Sequence, residues 1–326
     1  MKHVPWILAL ACCVVVAAGC LKAMEPTSPG GGDLRSAVES SVTLGGRDAA
    51  DLAGLDAAPG FYPLEIGNAW HYRLANRLQL IPNNGSPEPP FNDPGSIDVE
   101  MTCTEVVADR SYAVEHATYS SQSGETETWV RYRQDRSGLY ELDVSIFDPP
   151  ACAAVSAASA QSGAGPSMSL ADRVVAARPE YRLYRASFER LERKRAALEE
   201  ALRGQSLPTA RESALEGELT RLAYPLRTGA QWNIRTDPAF VATVEGTDAF
   251  ILPAGRFHGY RIRIEAPSFF GANDRVLTWY DRHGALKLLA HLEAPWTDAD
   301  GNIIGKVISD ETRELDDLTL VALGRF

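Results

Sequence analysis

A chain of 326 residues that is 45% hydrophobic and 23% charged holds ample apolar material for one large domain or two modest ones, which excludes a fully disordered protein. Its net charge of −11 and sequence pI near 5.1 argue against nucleic-acid binding, which needs a basic face. Only one apolar run is long enough to weigh against a membrane, and it lies at the amino end.

Residues 1–19 read as a cleavable leader. Lys2 and His3 make a short polar start, Val4 to Val16 an apolar centre, and Ala17-Ala18-Gly19 the small residues before Cys20. The run is too short to span about 30 Å of hydrocarbon comfortably as a helix rising 1.5 Å per residue. The Ala-Ala-Gly-Cys end resembles the lipobox of bacterial lipoproteins, with Ala17 where leucine is more usual. The resemblance implies cleavage before Cys20 and acylation of its thiol. Each buried acyl CH₂ would contribute about 0.8 kcal/mol, so several chains on one cysteine anchor firmly to a membrane. It also implies a cell-envelope location. Leu21, standing where the enterobacterial inner-membrane signal has Asp, directs the expectation to the outer membrane, with the domain facing the periplasm or the surface.

Residues 20–60 are rich in Gly, Ser, Pro, Ala and Asp and have no sustained period, as expected of a flexible tether. From 61 to 147 the texture becomes β. Ile97, Val99, Met101 and Cys103 alternate with polar residues, as do Tyr140, Leu142, Val144 and Ile146, and further on Tyr260, Ile262 and Ile264. A period of two with one apolar face marks half-buried antiparallel strands. Turn signals at Asp109-Arg110, Ser137-Gly138, His283-Gly284 and Asp300-Gly301 separate the runs, and ten to twelve strands are expected.

A low-complexity linker at 148–168 follows, then a helical hairpin insertion at 169–222. Pro179 opens a helix to Arg203 with Tyr181, Tyr184, Phe188, Leu191, Leu198 and Leu202 on one stripe, interrupted by Arg195. Thr209 and Glu212 have capping-box spacing for a second helix to about Leu222. The stripe either packs on the sheet or forms a coiled coil with a partner. Residues 223–326 form the second β half.

The two halves echo each other. Residues 62–73 read YPLEIGNAWHYR and 224–235 read YPLRTGAQWNIR, with six of twelve positions identical: Tyr, Pro, Leu, Gly, Trp and Arg. A looser echo joins Thr128-Trp129 before Gly138 to Thr278-Trp279 before Gly284. Pro suits the entry to a strand, Gly the turn, and Trp a large buried anchor. Trp70, Trp129, Trp232, Phe257, Trp279 and Tyr280 are therefore candidate core aromatics, or alternatively walls of an apolar ligand cavity. The fold expected is mainly β with a helical insertion, an antiparallel curved sheet or open β-barrel built from two related halves.

With Cys12 and Cys13 removed in the leader, Cys103 and Cys152 remain in the folded part as a possible disulfide. Two distant thiols do not make a metal site, and no metal or cofactor is expected. The mature histidines are scattered, and neither G-x-S-x-G, H-E-x-x-H nor a P-loop is present. Asp298 to Gly301 fails as a calcium loop and reads as a hairpin turn.

The YPL-x-x-G-x-x-W entries, Pro253-Ala254-Gly255-Arg256-Phe257, and Trp279-Tyr280 with Gly284 and Lys287 together resemble a group of exported bacterial β proteins, the TapB-like group. The resemblance covers 61–145 and 223–323 and implies a fold but no catalytic residue. The function expected is a lipid-anchored, non-enzymatic envelope protein that binds an apolar ligand or an envelope protein partner. An assembly adaptor acting through the helical hairpin is the second reading, and an envelope hydrolase with dispersed Asp, His and Ser the third.

Overall fold

A computed structural model describes residues 62–122, 124–142, 144, 149–152, 170–203, 217–298 and 300–321. The leader, the tether and Cys20 lie outside these residues.

Among the described residues, twelve strands run in chain order as β1 (Ala69–Pro82), β2 (Phe91–Val107), β3 (Arg110–Ser121), β4 (Gly124–Asp135), β5 (Gly138–Leu142), β6 (Glu218–Ala223), β7 (Gln231–Thr236), β8 (Ala239–Leu252), β9 (Gly255–Glu265), β10 (Arg275–Asp281), β11 (Gly284–Thr297) and β12 (Ile303–Thr319). Their alternation is physical. Ile97, Val99 and Met101 are buried while Asp98 and Glu100 are exposed, and Tyr260, Ile262 and Ile264 are likewise buried. Tight turns join neighbours. Ala108 and Asp109 both take positive φ between β2 and β3, the signature of a primed two-residue turn. Asp298 Oδ1 accepts the backbone N–H groups of Asp300 and Asn302, and Gly301 sits at φ 85°, closing the β11–β12 hairpin.

All twelve strands form one antiparallel sheet in the order β6-β5-β4-β3-β2-β1-β12-β11-β10-β9-β8-β7. It is two consecutive six-stranded meanders, β1–β6 and β7–β12. They join where β1 pairs β12, from Ala69 opposite Thr319 to Pro82 opposite Gly305. The sheet curls until its end strands approach. The Trp232 indole N–H on β7 reaches the Thr220 carbonyl on β6 at 3.1 Å, so the barrel is nearly closed.

The two echoing segments occupy the same place in their meanders. Gly67 and Gly229 both take positive φ, at 91° and 84°. Gly67 N–H donates to the Met101 carbonyl, and Met101 N–H returns a bond to the Asn68 carbonyl. Gly229 and Val244 repeat the pattern, with Ala230 in place of Asn68. Trp70 then faces Val99, and Trp232 faces Ala242, each two residues before the hydrogen-bonded partner of its glycine. Arg73 stands on the opposite face from Trp70 and pairs with Asp316 at 2.7 Å.

The helical segment differs from the expectation in detail. Helix α1 (Leu170–Ala177) leads into a 3₁₀ turn over Pro179–Tyr184, and helix α2 (Arg185–Arg203) follows. Pro179 thus opens a tighter turn, and the regular helix begins six residues later. The capping box at Thr209 and Glu212 lies outside the described residues. The end of the supposed second helix is strand β6. Leu219 and Leu222 are buried, and Glu218–Ala223 pairs with β5. Helix-compatible residues such as Glu218, Leu219 and Arg221 are held extended by long-range pairing, which overrides local propensity.

One core cluster gathers Leu78 and Leu80 of β1, Leu292, Ala294 and Trp296 of β11, and Val307 of β12 against Ala171, Val174, Tyr181, Phe188 and Leu191 of the helices. By register the strand residues share one face, Leu80 opposite Val307 and Val307 opposite Ala294. Phe188 and Leu191 of the α2 stripe therefore pack on the sheet, and the side chains of Leu198 and Leu202 lie outside the described ones. Lys194 pairs with Asp274 at 2.6 Å and Arg195 with Glu311 at 2.7 Å, which gives the interrupting arginine its own partner. A second cluster centres on Trp70, Tyr72, Ile97, Leu277, Trp279 and Leu286.

Candidate functional site

The six sequence-nominated aromatics do not surround one cavity. Trp70 is almost wholly buried, stacks obliquely on Tyr62 and donates its indole N–H to the His283 carbonyl at 2.7 Å. Trp279 is buried, donates to Asp248 Oδ2 at 2.7 Å and meets Phe250 edge-on. Phe257 packs in the same cluster and contacts the His283 ring edge-on. Trp129 is half-buried and stacks on His116 with centroids 3.9 Å apart. Trp232 ties β7 to β6. The indole N–H groups of Trp70, Trp232 and Trp279 each meet a specific acceptor, which is how tryptophan acts as an anchor. Only Tyr280 of the six lines the internal cavity.

That cavity, about 120 Å³, lies on the concave face between the two meanders. Five phenols line it: Tyr62 from the first echoing segment, Tyr72 from β1, Tyr119 from β3, Tyr132 from β4 and Tyr280 from β10. Thr128 and Thr278 contribute hydroxyls from equivalent places beside Trp129 and Trp279, and Glu115 contributes a buried carboxylate. Tyr62 donates to Glu115 Oε2 at 3.0 Å, and Tyr72 donates to the Ala285 carbonyl at 2.9 Å. Arg313 and Lys287 also reach the lining. Lys287 Nζ lies 2.7 Å from Glu314, and Arg313 lies 2.5 Å from Glu311 with its guanidinium over the Tyr119 ring. Burial, reinforced by the Glu115 charge, pushes the phenols of Tyr62, Tyr72 and Tyr132 well above their ordinary pKa. They stay protonated and able to donate. This lining mixes hydroxyls and one carboxylate with the apolar surface of Ile97, Val99, Val130 and Leu288.

The convex face carries a shallower groove of about 460 Å³ across β12, β1, β2 and β3, lined by His71, Asp98, Glu100, His116 and Asp317 among others. His71 Nδ1 lies 2.6 Å from Asp98. Burial holds the His116 imidazole below its ordinary pKa, against the opposing pull of Glu127 and Glu100. Among the described residues, no group of three or more His, Cys, Asp and Glu side chains could hold a metal ion.

Cys103 on β2 and Cys152, in a turn after β5, form a disulfide with Cα atoms 6.2 Å apart. Cys20, the residue of the lipobox, lies outside the described residues.

Sequence reasoning missed Glu115 and the tyrosine ring because they converge from separate strands. The local signal was only that Glu115 interrupts an otherwise apolar face of β3, between Ala113 and Ala117.

No protein family and no curated protein matches the chain, and the TapB-like resemblance accordingly finds no counterpart among them. Two solved structures are similar to it. One is a protein thought to be exported, with a YmcC-like fold, from Bacteroides fragilis; identity is 10%, the match covers 80% of this chain and 100% of that one, and the TM-score is 0.28. The other is thought to be a lipoprotein of Parabacteroides distasonis, at 9% identity, 80% and 99% coverage and a TM-score of 0.27. Likenesses this weak leave the fold and the function to be read from the chain itself.

Proposed function

We propose that this protein is exported, held to the cell envelope by an acylated Cys20, and acts there by binding rather than by catalysis. The observation that carries the reading is the coincidence of two independent cysteine features. Cys20 closes a lipobox-like leader, and Cys103 and Cys152 are joined in the folded part. Disulfides persist in oxidising compartments, where such a leader would deliver the chain. The 20–60 segment would serve as the tether, and the outer membrane is the destination that Leu21 favours.

Binding is better placed on the sheet than on the helices. Phe188 and Leu191 of α2 are fully buried against the sheet, which takes those two stripe positions from the adaptor reading. The hydroxyl, carboxylate and imidazole groups among the linings of the two hollows suit a ligand or protein partner that hydrogen-bonds as well as packs. The two meanders, with their matching glycine turns, are further read as products of duplication.

Intact-mass analysis of the protein recovered from bacterial membranes tests the anchor. A first residue of Cys20 carrying acyl mass, lost together with membrane association in Cys20→Ser, is expected. A processed chain with an unmodified amino end overturns it.

A further inference from the structure

The concave cavity has the features of a built ligand site. Tyr132 and Thr128 are more than nine-tenths buried and line it. Neither hydroxyl has a hydrogen-bond partner among the described residues. Polar groups that converge on a hollow and face its open space are placed to hydrogen-bond to a ligand there.

We propose that this cavity binds a compact neutral polyol of three or four carbons. Charge decides the class. Glu115 disfavours an anion, while Arg313 and Lys287, which also reach the lining, disfavour a cation. A ligand bearing several hydroxyls can donate to Glu115 and both donate to and accept from Tyr132 and Thr128, with no charge to bury. The tyrosine rings offer apolar faces to its carbon chain. Size decides the length. A volume of about 120 Å³ suits a compact ligand on the scale of a triol or tetritol. The inference deepens the binding reading above and is independent of the anchor.

The test is a calorimetric titration of the full processed chain with erythritol, and with tetramethylammonium and acetate as charged probes of comparable or smaller size. Saturable binding of erythritol alone is expected. Tyr132→Phe and Thr128→Val keep the shape of each side chain and remove one unpartnered hydroxyl. Each should weaken erythritol at least tenfold while leaving the melting temperature of the ligand-free protein unchanged or raised. That pairing separates a ligand contact from a structural one, because a hydroxyl that supported the fold would lower the melting temperature on removal. Erythritol failing to saturate, either charged probe binding as well, or both variants retaining full affinity overturns the proposal. Repeating the titration with Cys20→Ser, where no change is expected, keeps a failure of the anchor distinct from a failure of the cavity.

Discussion

Trp70 and His283 stand 213 positions apart in sequence, yet the indole of the first donates to the carbonyl of the second at 2.7 Å. The bond fastens the start of β1 to the turn between β10 and β11, one meander to the other. The next residue, Gly284, at φ 104°, lets the backbone come against the indole; a Cβ there would lie 3.3 Å from the indole nitrogen. A left-handed backbone and a close aromatic neighbour both call for glycine at this position.

Trp70→Phe keeps an aromatic ring but loses the donor and leaves a gap. Lost hydrogen bonding and incomplete repacking together should lower stability by about 2–4 kcal/mol. Urea denaturation followed by circular dichroism checks this. A loss below 0.5 kcal/mol, on the order of an ordinary surface change, would remove Trp70 from the role of anchor.

The β2–β3 turn carries a correctable strain. Ala108 sits at φ 48° and Asp109 at φ 64°, where asparagine and glycine are the favoured residues. Ala108→Asn should raise stability by up to about 1 kcal/mol without altering the register, since Asn tolerates the left-handed region better than alanine. The midpoint of chemical denaturation is the readout, and a lower midpoint contradicts the account.

Breaking the crosslink between Cys103 and Cys152 should cost about 2–4 kcal/mol, because the bond closes a loop spanning 49 positions and restricts the unfolded chain. The double variant Cys103→Ser with Cys152→Ser, compared with the oxidised and the reduced parent, measures it. The reduced parent should match the double variant. A parent indifferent to reductant would show that the two thiols are not joined in the folded protein.

His291 gives stability a defined dependence on pH. A hydrogen bond to Asp310 at 2.7 Å, with Glu293 at 3.4 Å, raises its pKa above the ordinary value despite partial burial. The folded state therefore binds the proton more tightly than the unfolded chain. The stabilisation is complete below the unfolded value of about 6.5 and fades as pH rises through the higher folded value. His116 acts in the opposite sense, since its depressed pKa removes stability as pH falls below about 6.5. Denaturation across this range should show His291→Gln flattening the loss on the alkaline side, and His116→Gln flattening the loss on the acidic side. Interchanged effects would contradict both assignments.

Much of the sheet was legible because strands with one buried face announce themselves by alternation. Ile97 to Met101 and Tyr260 to Ile264 are examples, and the paired Gly-x-x-Trp segments mark where each meander begins. β6 was hidden. Five of its six residues are good helix formers following a helical stretch, and nothing local reveals that β5 waits for them across the insertion. The cavity was hidden for a related reason. Glu115, Thr128 and Tyr132 are unremarkable in their own strands, and only the register of β3 against β4, with Glu115 opposite Val130, brings them to one face. The tryptophans drew notice by size, yet the groups that line the cavity are mostly hydroxyls and apolar side chains from other positions.

The seam between β1 and β12 bears on how the protein is made. A chain is synthesised amino end first, so β1 comes out early and its neighbour on one side comes out last. Until then β1 offers an open backbone edge to anything nearby. Such distant pairing slows closure and exposes the nascent sheet to mispairing. Attachment of the amino end to a bilayer would hold that vulnerable edge apart from its fellows while the remainder arrives.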